Sequence, residues 1–476
     1  MLALLIQAGL YQKGTRMLSS FRSIAAAITI CAAGIAAAQD IAANADQYLS
    51  TWAQQGRFSG TVLLAKNGKV LLRKSYGMAN YELGVPNTPD TVYRIGSITK
   101  SFTALAVLQL EEKGLLKVTD PASKYVPELP SAWNAITIHQ LLCHMSGIPD
   151  FINAATYDPN HIESALHEYA DKPLLSKPGE VLRYSNSGYI LLGRIIEKVS
   201  GKPYEEYLAE NILRPAGMTH TAIDHTPDLV PHRATGYRWD GESVVNAPNV
   251  DPDHPSAAGS LRSTVDDMYR FDRALKEGRL FSNAITAKAW TAYGHWSAPP
   301  PFPADADYGY GWMIGQEFGH RYVGHGGWVN GFVSQFNRYL DDDAALIVLW
   351  NFETSNNIFL SQDLAAILFG QTYEFPVLCP IVHPSHETLA RYLGDYQFGP
   401  LVAKFTLKND KLYALGTGQP VPYGLIATSD TDFYCNDAPS QIHFVNNGAN
   451  VFDQVTIRLG PKEYTLTRIS SQKQGE

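Results

Sequence analysis

The pattern of apolar and polar positions changes character several times along the chain. Ile41 to Gln54 reads as a helix. Gly60-Thr61-Val62-Leu63-Leu64-Ala65 and Lys69-Val70-Leu71-Leu72 then flank Asn67-Gly68, a dipeptide that supplies the left-handed backbone a two-residue hairpin needs. From about residue 97 to 280 the period is mostly helical. A second strand group follows at Tyr310 to Gly315, Tyr322 to Gly324, Phe332 to Tyr339 and Ala344 to Trp350, the last two joined by the turn Asp341-Asp342-Asp343. Strands at both ends with helices between them predict an α+β domain. Its antiparallel sheet is closed by the N- and C-terminal strands and covered by an inserted helical region. The Pro-rich stretch Ala298 to Pro303 reads as a surface loop within that domain.

Near residue 380 the character changes again. Phe375-Pro376, Pro380 and Pro384 make residues 376–384 a linker between a domain over 39–375 and a second unit over 385–470, with a tail at 471–476. The second unit holds short runs at Leu401 to Leu407, Leu412 to Leu415, Tyr423 to Ala427, Gln441 to Val445, Val451 to Ile457 and Tyr464 to Ile469. Short strands at this spacing predict a small all-β barrel. A chain of 476 residues accommodates two such units.

The N-terminus has the layout of a secretory signal peptide over 1–38, with Met17 the better start: Arg22, an apolar core from Ile24 to Ile35, and a small-residue cleavage site at Ala36-Ala37-Ala38. An uncleaved anchor is the rival reading, although the apolar run is short and Ala-rich for a membrane span. Cleavage places the protein in the periplasm or outside the cell, with no integral span. It removes Lys13, Arg16 and Arg22 and no acidic residue, which takes the net charge from −8 to −11. A surface of that sign gives no reason to bind nucleic acid. Cys143, Cys379 and Cys435 remain, an odd number that makes no disulfide framework, although Cys379 and Cys435 could pair in an oxidising compartment. No Cys-x-x-Cys or His-Glu-x-x-His occurs, so a dedicated zinc site is not expected.

Three short strings carry candidate chemistry. Ser97-Ile98-Thr99-Lys100 opens a helical run through Leu110 that ends near Lys113-Gly114, with Ile98, Phe102, Leu105 and Leu108 forming an apolar stripe. A serine there meets free backbone N–H groups and the positive helix end, and a lysine three residues on shares its face. Burial would lower the pKa of that lysine and make it a base. Taken alone, the same string describes an N-cap serine and a solvated lysine. Tyr184-Ser185-Asn186 leads into an amphipathic helix stopped at Gly201. A tyrosine near a cationic lysine would have a depressed pKa and relay protons, and an asparagine amide both donates to and accepts from a substrate amide. The alternatives are a core tyrosine and an N-cap asparagine. His325-Gly326-Gly327 follows the run Arg321 to Gly324, and its glycines would let a substrate backbone approach a strand edge. The backbone N–H groups of Trp328 and Ser97 could then form an oxyanion hole. Ser470 with Lys473 and Tyr434 with Asn436 repeat two of the patterns without a catalytic setting, so only the ordered trio is informative.

In that order the strings resemble the site elements of the β-lactamase-related serine hydrolases of the class C type, the group with penicillin-binding esterases, D-aminopeptidases and CubicO-type peptidases. The likeness spans roughly residues 40 to 370. It extends to Leu141 to Gly147, Pro215-Ala216-Gly217-Met218 and Ala258 to Thr264. The resemblance implies a β-lactamase/transpeptidase-like fold and no cofactor. It also implies Ser97 as acylated nucleophile, Lys100 and Tyr184 as general base and acid, and Asn186, His325 and Gly327 as substrate-binding residues. Residues 385–470 are similar to the lipocalin-like β-domain appended to some of these enzymes. The third motif departs from the family's usual Lys-Thr-Gly. Without that lysine a substrate carboxylate loses a charge-assisted contact. We therefore expect small esters, amides or peptides as substrates in preference to β-lactams or DD-carboxypeptidase substrates. A penicillin-binding-like receptor with little turnover is the non-enzymatic alternative.

Overall fold

The computed structural model describes residues 40–239, 243–297, 305–353, 357–373, 375, 381–417, 422–435, 440–448, 452–459 and 462–470. The expected signal segment, the loop Ala298 to Pro303, most of the linker, Cys379 with any pairing to Cys435, and the tail lie outside these residues. Among the described residues no helix is long and apolar enough to cross a membrane.

After helix α1 (40–54), the main sheet is built from eight strands. They are β1 (Gly60–Lys66), β2 (Lys69–Tyr76), β3 (Gly294–Ser297), β4 (Asp305–Tyr308), β5 (Met313–Glu317), β6 (His320–Val329), β7 (Phe332–Tyr339) and β8 (Ala344–Trp350). Their order is β3-β4-β5-β6-β7-β8-β1-β2. β1 pairs antiparallel with β8 from Gly60↔Trp350 to Lys66↔Ala344, so the two ends of the domain close the sheet, as the strand pattern predicts. The hairpin turn has Asn67 at φ 52° and Gly68 at φ 69°, the left-handed pair that matches strand twist.

Period-two alternation divides the sheet between two cores. Val62, Leu64, Leu346, Val348 and Trp350 face α1 and helix Asn357–Phe369. Leu63, Ala65, Ile347 and Leu349 face the inserted helical region. There lies α2 (Thr99–Glu112), in which every residue from Thr99 to Leu110 is buried, not one stripe only. Its polar side chains are satisfied: Ser101 donates to Gly311 O at 2.7 Å and Thr103 to Ala257 O at 2.7 Å.

The inserted region differs from the expectation by including two small three-stranded sheets, one joining Tyr93–Arg94, Leu261–Ser263 and Ala222–Ile223. The short strands β3 and β4 carry no alternation long enough to read, and they pair with each other on either side of the Pro-rich stretch. β5 begins at Met313, so Tyr310 to Trp312 are outside it. β6 runs on to Val329, placing His325-Gly326-Gly327 inside the strand instead of after it.

The C-terminal unit is a closed antiparallel barrel of eight strands running from Gly394–Phe398 to Lys462–Ser470, which pair with each other. Gly394–Phe398 and Asp432–Cys435 are strands that the sequence pattern did not predict. Its interior is filled by rings: Tyr392 stacks on Phe444 at 4.2 Å, and Tyr396 meets Phe405 edge-on at 5.3 Å. Arg57 lies between Trp52 and Tyr434 of the barrel, 4.1 and 5.0 Å from their ring centroids.

Candidate active site

Ser97 sits in the single 3-10 turn Gly96–Ile98 that runs directly into α2. Two glycines press this turn against β6. Gly96 has φ +50° and a Cβ there would meet Trp328 N at 2.7 Å, while a Cβ on Gly327 would meet Ile95 O at 2.0 Å. The Ser334 hydroxyl secures Ile95 O at 2.8 Å. β5 pairs with β6 only as far as Gly324, so beyond that point β6 is paired with β7 alone and Trp328 N stands beside the serine turn. Gly327 thus accommodates the protein's own Ile95; the space its missing side chain leaves is not open to substrate.

Lys100 is fully buried, with Nζ 3.0 Å from Ser97 Oγ, 2.9 Å from Asn186 Oδ1 and 2.8 Å from Ala258 O. Burial pulls its pKa down to about 7, against the opposing pull of the Asp150 carboxylate. This is not the solvated first-turn lysine that the string alone allows.

Tyr184 and Asn186 are set by helix α3 (Asn186–Ser200), which ends at Gly201 in the left-handed conformation. Ser185, not Asn186, is the N-cap: its oxygen accepts from Gly188 N and its hydroxyl donates to Asp150 Oδ1 at 2.7 Å. Asp150 Oδ1 also accepts from Ser187 N at 3.1 Å. Asn186 is thereby released from capping and turns its amide to Lys100. The Tyr184 ring stands 4.7 Å from Lys100 Nζ. Its pKa is raised, not depressed as expected: burial dominates, a hydrogen bond with Ser97 opposes it, and Asp150 adds to it. The lysine that was to stabilise a phenolate is itself only partly charged near neutrality.

His325 is buried behind Tyr184, their ring centroids 6.3 Å apart. A directional chain of hydrogen bonds occupies it. Ser185 N–H donates to His144 Nδ1 at 3.2 Å, which leaves the His144 proton on Nε2, 3.2 Å from the Tyr308 hydroxyl. Tyr308 then donates to His325 Nε2 at 3.0 Å, and His325 Nδ1–H donates to Gly326 O at 2.6 Å. Burial and the nearby Lys100 push the His325 pKa down to about 3. His144 is lowered well below its usual value for the same reasons. The expectation that His325 binds substrate is therefore corrected: neither ring nitrogen faces the cleft, and the ring stays neutral.

Ser97, Tyr184, Asn186 and Trp328 line one cleft of about 350 Å³ with Arg94, Ile152, Asp251, His254 and the segment Ala258 to Ser260. Every lining residue comes from positions 94–330, none from the barrel. Sequence reasoning missed Asp150, Tyr308 and Arg94. Asp150 lies 35 residues from Ser185, and no spacing links them. Arg94, three residues before Ser97, was within reach of inspection.

Buried lysine, serine at a helix start and tyrosine on a facing loop define a serine hydrolase. The chain belongs to the Beta-lactamase family, whose match covers residues 39–371. It is 31% identical over 429 residues to penicillin-binding protein 4* of Bacillus subtilis (strain 168), covering 83% of this chain and 91% of that one. Among solved structures it is similar to the octameric penicillin-binding protein homologue from Pyrococcus abyssi, with TM-score 0.60, 27% identity, and 88% of this chain and 97% of that chain covered. The D-amino acid amidase from Ochrobactrum anthropi SV3 complexed with L-phenylalanine matches with TM-score 0.59 and 26% identity, over 69% of this chain and 97% of that chain.

Proposed function

We infer that this hydrolase is exported to the periplasm or medium and cleaves small ester, amide or peptide bonds through an acyl-enzyme on Ser97. The supporting observation is the environment of Lys100. As an ammonium it can donate to all three oxygens around it. As a neutral amine it has two protons for Asn186 Oδ1 and Ala258 O, which turns its lone pair to the Ser97 hydroxyl. A pKa of about 7 keeps that form well populated near neutrality.

Ser97 Oγ attacks the substrate carbonyl as its proton passes to Lys100 Nζ. The oxyanion forms between the N–H groups of Ser97 and Trp328. Tyr184 keeps its proton because its pKa is raised, so it serves as the acid that protonates the departing alkoxide or amine. Lys100, whose Nζ faces the Tyr184 ring at 4.7 Å, then gives the proton it took from Ser97 to the Tyr184 phenolate, which restores both groups. Water repeats the sequence on the ester and frees Ser97. Asn186 holds Lys100 through Oδ1 and offers its amide N–H to the substrate.

With His325 neutral and both its ring nitrogens engaged, it offers no charged contact to a leaving-group carboxylate. Leaving groups without one are favoured, and β-lactams and DD-carboxypeptidase substrates are poor. The barrel over 385–470 acts as a separate unit on the far side of the 376–384 linker.

Intact-mass analysis after treatment with a fluorophosphonate, p-nitrophenyl esters, D-amino acid amides and benzylpenicillin tests the reading, with Ser97→Ala as the control. An adduct on Ser97 and loss of all turnover in the variant are expected. A native protein that binds these compounds without acylation is a receptor instead, and nitrocefin turnover much faster than that of p-nitrophenyl butyrate overturns the substrate preference.

A further inference from the structure

One cation stands in the cleft with no part in this mechanism. Arg94 Nε donates to Asp224 Oδ2 at 2.8 Å, and Asp224 is fully buried. The same carboxylate receives Arg233 at 3.1 Å and Arg262 at 3.2 Å through Oδ1, with Arg262 also paired to Asp228 at 2.9 Å. Three guanidinium groups thus share the Asp224 and Asp228 carboxylates, each held in place by its own ion pair. Arg94 is the member that lines the cleft beside Ser97. Among the described residues its two terminal nitrogens meet no hydrogen-bond acceptor. Asp224 fixes the arm through Nε and leaves the planar fork preorganised for a two-point contact.

The position of the fork along β6 decides which part of a substrate it meets. The scissile carbonyl lies at Trp328 and Ser97. Tyr184, in hydrogen-bond contact with Ser97, stands on the side of that point towards His325, the two ring centroids being 6.3 Å apart. Arg94 marks the other: it lines the cleft with Trp328, Val329 and Asn330, and its guanidinium stands 5.7 Å from the ring of Phe332 just past the turn. Tyr184 protonates the leaving group, so the leaving group lies on the Tyr184 side and the acyl group on the Arg94 side. Asp251 also lines the cleft, its Oδ1 accepting from the Thr226 hydroxyl and Asp253 N. Among the described residues it forms no ion pair with Arg94.

We propose that Arg94 is a specificity residue that binds an anionic group, a carboxylate above all, on the acyl portion of the substrate. This assignment rests on the Ser97 acyl-enzyme reading. It names the preferred substrates as acyl donors with a distal acidic group and an uncharged leaving group. The absent lysine of the third motif is therefore not replaced in kind; the anion site has moved across the scissile bond.

The test compares mono-p-nitrophenyl glutarate with p-nitrophenyl valerate, esters of equal acyl length that differ by one terminal carboxylate. The native enzyme is expected to favour the glutarate in kcat/KM by about tenfold or more. Arg94→Gln should abolish that ratio chiefly through KM, and Arg94→Lys should recover part of it. Glutarate alone should raise the Tm of the native protein and not of Arg94→Gln, a readout that needs no turnover. Equal rates on the two native esters, equal losses on both in Arg94→Gln, or no thermal shift with glutarate overturn the assignment. Failure to acylate Ser97 with either ester sinks the mechanism instead, and the thermal shift still judges Arg94.

Discussion

The hydroxyl of Ser185 and the carboxylate of Asp150 meet at 2.7 Å, and this contact holds the loop that carries both Tyr184 and Asn186. Ser185 caps α3 with its oxygen while its proton goes to Asp150, which also takes Ser187 N. One carboxylate therefore fixes the chain between the proposed acid and the substrate amide.

Asp150→Ala should weaken this cap and lower stability by about 1–2 kcal/mol, read by denaturant unfolding, with a larger proportional loss in kcat than in KM. Asp150→Asn keeps an acceptor and should retain more stability. It also removes the negative charge that holds the Lys100 pKa up, so the acidic limb of its pH–rate profile should move to lower pH. A limb that stays put means that Asp150 acts on the fold alone.

The native profile should follow the neutral form of Lys100. log kcat/KM for p-nitrophenyl butyrate is expected to rise as pH approaches about 7 and then level off. No alkaline decline should appear below pH 10.0, because burial lifts Tyr184 above that ordinary value. A fall at lower pH would show Tyr184 working as a phenolate.

Lys100 also makes a signed stability prediction. Its folded pKa lies below the unfolded value of 10.5, so the unfolded chain binds more protons between about 7 and 10.5 and native stability gains with rising pH there. Lys100→Met lacks this gain. Relative to native, the variant should be most stable below pH 7 and lose on the order of 2–3 kcal/mol of that standing by about pH 9.5. Parallel stability curves for the two proteins would contradict the buried, proton-poor lysine.

His325→Ala should leave the Tyr308 hydroxyl without its acceptor and open a void, costing about 2–3 kcal/mol by denaturant unfolding. His325→Lys should not create a β-lactamase. The amine would be buried where a ring now accepts from Tyr308, close to Lys100, and a lower Tm with unchanged nitrocefin hydrolysis is the expected result. A marked gain in nitrocefin turnover would place position 325 in the cleft after all.

Ending the chain near residue 382 removes the barrel. Because the cleft is lined only by positions 94–330, kcat/KM on p-nitrophenyl butyrate should stay within about threefold of the full-length value. A broadened substrate range would identify the barrel as a wall of the site.

Local chemistry was written in the sequence. Asn67-Gly68 dictated its hairpin, because few other dipeptides take two left-handed residues in succession. Gly201 stopped α3 for a related reason, and the Ser-x-x-Lys spacing by itself put an amine one helical turn from a hydroxyl. β1 and β8 carry near-continuous apolar runs, which suits strands buried on both faces. Short or irregular pieces stayed illegible: β3 and β4 are too brief to show a period, and the motif at His325 read as following a strand that in fact continues through it.

What tertiary structure decided is the electrical state of those side chains. Whether Lys100 is a solvated cation or a proton-poor base depends on α2 being enclosed on every side. Whether Tyr184 is easier or harder to ionise depends on its burial and on Asp150, a residue with no sequence link to it. His325 became a neutral strut because burial and the nearby Lys100 hold its pKa down, while Tyr308 and Gly326 engage its two nitrogens. Among the described residues the terminal nitrogens of Arg94 stay unpaired because Asp224 takes only Nε. Desolvation and hydrogen-bond partners come from distant parts of the chain, so they are fixed only once the chain has folded.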